Sequence, residues 1–504
     1  MSIAPSTIIR LLKNVPLSND YRDTIYFGDS GSQSGYFSGL TKYTLTENSY
    51  QRYGKGVLRI EKLADDLFDC NYMMFQNENF GSKWFYAFIT RIEYINNVTS
   101  EIYYELDVMQ TWLTSLVFKP CYVEREMIVN DVIGYNLVPE NLETGDYIYT
   151  QLADIDGFKN YKIAMLCSFD TSLEPARGGY YGGVYSGLIM NVFDSVSDAN
   201  AFIKKVTDAN KSIGISSIFM LPNCAYDENM SSGAITSDIL REKKQDSIAS
   251  YTPKNKKVLT YPYNFLYVTN GEGTGANYEY ECFDGESCSF KLVACMTANP
   301  EIMLVPVRYR NVPENYNFAI NVANFPQCSW SVDTYKQWLA NNRAERWVGY
   351  VETGLKTVAD VGTVVATKGA SGGESTISDI SNIAHQVAQH YDRSTLPPQA
   401  HGTIASSALI ANRKKGFHFY NVQIREQFAK IIDDYFDMFG YATHRVKTPN
   451  RTSRPHWNYV KTVGCNCRGN VPANDLAKIR QIHDNGITYW KKGSEVGDYS
   501  LNNH

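Results

Sequence analysis

From Val351 to Gly416 the chain carries one aromatic residue, Tyr391, in a protein that is otherwise 13% Phe, Trp and Tyr. At that rate a stretch of this length should hold roughly eight. Gly, Ala, Ser, Thr and Val stand in their place, as in Gly354-Leu-Lys-Thr-Val-Ala-Asp-Val-Gly-Thr-Val-Val-Ala-Thr-Lys-Gly-Ala-Ser-Gly-Gly373. Aromatic side chains supply much of the burial that a β-rich core needs, so this stretch is not core. Loops of such length inside compact proteins are uncommon, and are usually functional or disordered. The composition shift therefore divides the chain into a tyrosine-rich scaffold and a long small-residue loop, residues 351–412, that reads as a mobile device.

At 504 residues the chain is long enough for roughly two to four domains with real cores. A net charge of −5 argues against a surface that grips nucleic acid by neutralising phosphates, yet it suits DNA that only slides past. Ten cysteines are spread along the chain with Cys465-Asn-Cys467 as the one close pair, and no Cys-x-x-Cys occurs. That pattern predicts reduced, mostly buried thiols, no zinc site, and synthesis in a cytoplasm. The start, Met1-Ser-Ile-Ala-Pro-Ser6, has neither the charged nor the apolar region of a signal peptide. No apolar run reaches the length of a membrane-spanning helix; the uncharged Val361–Thr367 is bounded by Asp360 and Lys368.

Residues 20–125 read as β-structure. Phe85–Tyr94 and Glu101–Trp112 form two expected strands around a turn at Asn96-Asn97, and the second alternates with a period of two. A second β-cluster runs from Leu259 to Arg310. There Asn270-Gly271 and Asp284-Gly285 mark hairpin turns between expected strands Tyr261–Thr269, Tyr278–Phe283 and Cys288–Met296, a meander. Between the clusters, residues 130–258 mix expected helices (Ser197–Ser212, Ser237–Ser250) with Gly-rich loops. Ser331–Tyr350 and Gln423–Phe439 read as helices flanking the small-residue loop, the latter closed by Gly440. A last helix, Asp475–His483, ends at Asn485-Gly486 before the strand Ile487–Lys491. The fold class is α+β dominated by antiparallel sheet.

Few residues point to catalysis. All eight histidines lie at or beyond His385, so neither β-cluster can build a His-dependent triad. His385 and His390 are five apart, the wrong spacing for one helix face, and read as solvated. Gly271-Glu-Gly-Thr-Gly275 has spaced glycines but sits in a hairpin, where it is a turn and not a phosphate loop. Glu124 and Glu126 flank Arg125 and suggest a structural ion pair; as a carboxylate pair they are the one hydrolase candidate. The run Arg445-Val-Lys-Thr-Pro-Asn-Arg-Thr-Ser-Arg-Pro-His-Trp457 could touch nucleic acid, but reads better as a surface loop pairing with neighbouring subunits.

Several collinear blocks resemble the tail-knob, or distal tail tube, proteins of small short-tailed podoviruses of Gram-positive bacteria. They are Val15-Pro-Leu-Ser-Asn-Asp-Tyr21, Met74-Phe-Gln-Asn-Glu-Asn-Phe-Gly-Ser-Lys-Trp-Phe-Tyr-Ala-Phe88, Tyr104-Glu-Leu-Asp-Val-Met-Gln-Thr-Trp112 and Val123-Glu-Arg-Glu126. Arg445-Val-Lys-Thr-Pro-Asn450, Trp457-Asn-Tyr459, Ile482-His-Asp-Asn-Gly-Ile-Thr-Tyr-Trp490 and Gly497-Asp-Tyr-Ser500 continue the series. Residues 130–258 carry no such block.

The resemblance implies a virion protein without enzymatic activity or cofactor: a ring-forming homohexamer of barrel-like tube domains with a helix-flanked long loop. It implies a channel for duplex phage DNA without sequence-specific binding, a proximal tail or lower collar protein as neighbour, and a loop that plugs the tube end and then meets the host membrane. The corresponding segments are an N-terminal tube domain (1–130), a middle knob domain (131–258), a second barrel-like domain (259–330), the plug region (331–422) and a C-terminal segment completing the tube (423–504). Lys356, Asp360, Lys368, Glu374, Asp379, Asp392 and Arg393 would each cost roughly 2.5–3.5 kcal/mol in hydrocarbon. Contact with lipid is thereby confined to Val358, Val361, Val364, Val365 and Ala366, with Gly354, Gly362, Gly369, Gly372 and Gly373 as hinges. The alternatives are a cell-wall hydrolase using two carboxylates and a receptor-binding protein presenting the Tyr- and Gly-rich Arg177–Tyr185.

Overall fold

The computed structural model describes residues 7–48, 56–78, 81–155, 160–175, 180–181, 184–185, 187–209, 211–226, 235–294, 301–323, 325, 327–329 and 415–504. The expected helix Ser331–Tyr350 and the whole of 351–412 lie outside them. The described chain is mostly antiparallel β with few helices and a curled half-barrel sheet. It folds into two compact units: Met1–Thr144, Ala249–Val258 and Glu426–His504 make the first; Gly145–Ile248 and Leu259–Arg425 make the second. The segments delimited from the sequence are distributed over both.

The first unit holds a six-stranded antiparallel sheet in the order Thr41–Asn48, Thr7–Lys13, Cys70–Asn77, Phe85–Asn96, Thr99–Leu106, Val57–Ile60. One face closes over Phe37, Tyr72, Tyr86 and Phe88, whose rings lie 4.8–5.3 Å apart in successive contacts. A second sheet pairs Asp23–Ile25 in parallel with Ile487–Trp490, then continues antiparallel through Trp457–Val463, Cys121–Glu126 and Tyr441–Lys447. Trp457 and Trp490 are both fully buried there.

Local punctuation sets the helices of this unit. Helix Glu426–Phe439 stops at Gly440, whose φ of +66° suits glycine and whose N–H returns to the Phe436 carbonyl at 2.8 Å. A Cβ there would strike the Glu126 backbone. Helix Ala473–Asn485 likewise ends at Gly486, as its sequence predicts.

The expected strand Glu101–Trp112 is shorter than its alternation suggests, ending at Leu106. Asp107 caps a short helix, Val108–Trp112, its Oδ1 accepting the Gln110 N–H at 3.0 Å and its Oδ2 the Tyr72 hydroxyl at 2.8 Å. Val108 and Met109 are consecutive and both buried, which a strand with one wet face cannot arrange.

The second unit contains three larger sheets. One runs Tyr147–Asp154, His418–Ile424, Asn264–Thr269, Gly275–Tyr278, and another Ile189–Phe193, Tyr161–Cys167, Ile215–Pro222, Gln327–Ser329. The third runs Ile235–Lys243, Ser287–Ala294, Ile302–Tyr309, Val312–Glu314, with Ile320–Val322 also on Ile302–Tyr309. Helix Val196–Asp208 starts one residue before the expected Ser197–Ser212 and ends four residues short of it, and buries Phe202, Ile203 and Val206 against Ile163, Met165 and Ile218.

Two expectations fail in this unit. Ser237–Ser250 is not a helix; Ile235–Lys243 is a strand in register with Ser287–Ala294. A partner some fifty residues away, invisible to local propensity, overrides the helical look of its charged end. Tyr278–Phe283 is not a strand either. The strand stops at Tyr278, and Tyr280–Cys282 make a 3₁₀ turn that buries Tyr280 and Phe283. The expected meander consequently splits, Asn264–Thr269 and Gly275–Tyr278 joining one sheet and Ser287–Ala294 another.

Candidate functional site: the neck of the small-residue segment

The plug candidates Val358, Val361, Val364, Val365 and Ala366 and the hinge glycines Gly354, Gly362, Gly369, Gly372 and Gly373 all lie outside the described residues. The structure does describe the second unit up to Gln327–Ser329, an edge strand among the described residues, and again from Lys415, just ahead of His418–Ile424, an inner strand.

The chain before residues 330–414 and the chain after them meet at one side chain. Lys415 is wholly enclosed, and its Nζ donates to the Ala323 carbonyl on the outgoing chain. The same ammonium reaches Glu272 Oε1 at 2.6 Å and lies 4.6 Å from the centre of the Phe325 ring. Burial pushes the lysine below its usual pKa, and the Glu272 carboxylate opposes that shift. A buried ammonium with an anion, a carbonyl and a ring around it is compensated on three sides.

Glu272 belongs to the Gly271–Gly275 turn, which therefore has a role the sequence does not disclose. Asn270 Oδ1 accepts the N–H groups of Glu272 and Thr274 at 2.8 and 3.1 Å, forming a side-chain-braced turn. Gly271 and Gly273, with φ of +73° and +95°, give the turn its sharp path. The same Asn270 donates from Nδ2 to the Asn321 carbonyl at 2.9 Å, and its own carbonyl accepts the Gly416 N–H at 3.3 Å. One hairpin turn thus ties together two stretches of the second unit, Asn321 and Ala323 on one side and Lys415 and Gly416 on the other.

Other candidates are occupied structurally. Arg125 pairs with Glu140, while Glu124 pairs with Lys461 at 2.7 Å and Glu126 with Lys447. The three form ion pairs, but not with one another, and Glu126 is buried. His483 is buried and held well below the usual histidine range, at about 4, by desolvation, with its ring nitrogens against Ile479 O and the Tyr489 hydroxyl. Four cations of the basic run also have partners within the chain. Arg445 donates to the Tyr135 carbonyl at 3.0 Å, Lys447 holds Glu126, Arg451 stacks 4.2 Å over Phe118, and Arg454 donates to the Asn503 carbonyl at 3.2 Å. Cys465 and Cys467 are free and buried. Among the described residues no cluster of His, Cys, Asp and Glu could hold a metal ion. Of Arg177–Tyr185, the described backbone pairs Tyr180–Tyr181 with Val184–Tyr185.

Glu281, beside the neck hairpin in sequence, offers a pH test of the second unit. Its Oε1 accepts the Tyr261 N–H at 3.0 Å, whereas Oε2 is buried without a hydrogen-bond partner. Desolvation raises its pKa from 4.5 to about 7. The folded chain therefore holds a proton that the unfolded chain releases, so stability falls as pH rises from about 4.5 to about 7 and is flat above. Glu281→Gln removes that loss, on the order of 3 kcal/mol. Thermal unfolding should show the variant several degrees more stable than wild type at pH 8 and level with it at pH 4; equal midpoints at pH 8 would refute the assignment.

Comparison with known proteins places these features in context. Residues 225–504, more than half of the chain, match the family model for the C-terminal domain of the tail knob protein gp9 of Bacillus phage phi29. Residues 5–116 match the N-terminal model of caudoviral major tail proteins. Over 99% of its length the chain is 26% identical to tail knob protein gp9 of Bacillus phage B103 and 23% identical to that of phi29, covering 98% of each. The solved tail knob protein gp12 of bacteriophage C1 superposes with a TM-score of 0.65 at 16% identity, over 98% of both chains, and so shares the fold.

Proposed function

Since this chain belongs to the gp9 tail knob family of short-tailed phages and is a structural component of the virion tail, we propose that it forms the distal tail tube through which the genome is ejected. Six copies make the ring, joined to a proximal tail or lower collar protein on one side. Duplex DNA passes the lumen without sequence-specific contact, and a net charge of −5 suits a wall that does not hold phosphates. Residues 351–412 plug the distal end, swing on Gly354, Gly362, Gly369, Gly372 and Gly373, and present Val358, Val361, Val364, Val365 and Ala366 to the host membrane.

The observation that carries this reading is the neck. Lys415, Glu272, Asn270 and Ala323 tie the chain that precedes residues 330–414 to the chain that follows them. A segment tethered in that way can change position while the sheets on either side of its ends keep their register.

Electron microscopy of the purified protein, with and without residues 351–412, tests it. A six-fold ring with one end blocked is expected, and the deletion should leave the ring but open that end. A monomer, or a deletion ring still blocked, contradicts the tube or the plug respectively.

A further inference from the structure

The first unit displays two apolar features that its own core does not use. After the Cys121–Glu126 strand the chain runs through Val129, Val132, Ile133, Tyr135 and Leu137 outside any helix or strand, and all five side chains are exposed, Val129 and Tyr135 to 67%. The polar groups of this stretch are the parts that are tied down. Asp131 Oδ2 accepts the Tyr441 hydroxyl and the Lys256 N–H, both at 2.7 Å. The Tyr135 carbonyl takes Arg445, and the Val138 carbonyl takes Lys257 Nζ at 2.8 Å. Polar anchors inward and hydrophobic side chains outward invert the usual arrangement, and a soluble surface of that kind marks a contact.

The second feature is the hairpin of Phe85–Asn96 and Thr99–Leu106, whose far end carries Tyr94, Ile95 and Val98 exposed to 58, 39 and 67%. Its turn is set locally, the Tyr94 hydroxyl bonding Asn97 Oδ1 at 2.6 Å. Tyr94-Ile-Asn-Asn-Val-Thr99 has no charged residue, and the only one between Val129 and Leu137 is Asp131, whose carboxylate is already bonded within the chain. Burying one feature against the other would desolvate no uncompensated ion.

We propose that the hairpin tip Tyr94–Val98 of one copy docks on the Val129–Leu137 segment of the next copy. Two different, mutually compatible patches on one chain are what a head-to-tail contact requires, and such contacts generate rings when the rotation closes. The proposal rests on the ring reading above and names the surface that makes it. Side chains such as Tyr94 and Tyr135 would anchor the contact, since aromatic residues near the centre of an interface carry much of its binding energy.

Sedimentation of the full-length protein over a concentration series tests it with Val132→Lys and Val98→Asp, both at exposed positions where folding should survive, as circular dichroism will verify. Each variant alone should self-associate roughly tenfold more weakly than wild type or worse, about 1.4 kcal/mol per tenfold. An equimolar mixture should regain part of the loss, because the new lysine and aspartate would meet across the contact. If wild type assembles and both variants assemble equally well, this contact is wrong while the ring stands. If wild type remains a monomer throughout, the ring itself fails. If assembly is intact but the variants lose binding to phospholipid vesicles that wild type binds, the surface serves a membrane and the proposal is overturned.

Discussion

Replacing Asp433 by alanine is expected to lower the stability of the first unit by about 4 kcal/mol, a drop of roughly ten degrees in its unfolding temperature. The carboxylate is fully buried on helix Glu426–Phe439 and accepts four bonds from one stretch of chain: the Tyr251 hydroxyl at 2.6 Å, the Lys254 N–H at 2.8 Å, and the Asn255 N–H and Nδ2 at 2.9 Å each. Ala249–Val258 has no strand with which to hold itself in the first unit, so this one side chain is its main polar attachment. Removing it orphans one buried backbone donor, the Asn255 N–H, at roughly 1–3 kcal/mol, besides the part-buried Lys254 N–H, a hydroxyl and an amide. Asp433→Asn keeps one acceptor and should fall between wild type and alanine. Differential scanning calorimetry decides the matter: an alanine variant melting within a degree of wild type would show that the segment is held by other means.

Lys415→Ala should cost the second unit about 3 kcal/mol, at the low end for a broken buried ion pair because Glu272 is partly open to solvent. The more specific effect is on the neck. Phe417, just beyond Lys415, is buried to 1% exposure, which protects the bond after it from chymotrypsin. In the variant, cleavage after Phe417 should emerge within the time that wild type resists it, as read by mass spectrometry of the fragments. Lys415→Met, which keeps the stem over Phe325 but not the charge, should show the same loosening more mildly. Unchanged protection of the bond after Phe417 in the alanine variant would remove the neck from the account of this protein.

Features written locally in the chain were legible from it. Asn96-Asn97, Gly440 and Gly486 mark turns and helix ends where the structure has them, because a turn or a cap depends on a few adjacent residues. The desert of aromatic residues also has a physical edge: Phe417, the first aromatic after it, is buried two residues beyond Lys415. Pairings that depend on distant chain were not legible. Ile235–Lys243 needs Ser287–Ala294 before it becomes a strand, and nothing near Lys415 announces Glu272, 143 residues away. Asp107 lies between these cases. An aspartate at the end of an alternating run is a cap signal, but the alternation continues past it and hides the change of element.

The parallel pairing of Asp23–Ile25 with Ile487–Trp490 constrains the order in which the protein can be made. On a ribosome the early strand emerges hundreds of residues before its partner exists, and closing so long a span is a slow, non-local step. The sheets of the second unit, drawn from Gly145–Arg425, have all their strands available sooner. The nascent chain must therefore carry an incomplete first unit, with Ile25 and neighbouring apolar residues uncovered, until Ile487–Trp490 has emerged. Assembly that required a finished first unit would then be restricted to full-length chains, and prematurely terminated ones would be kept out of the tail.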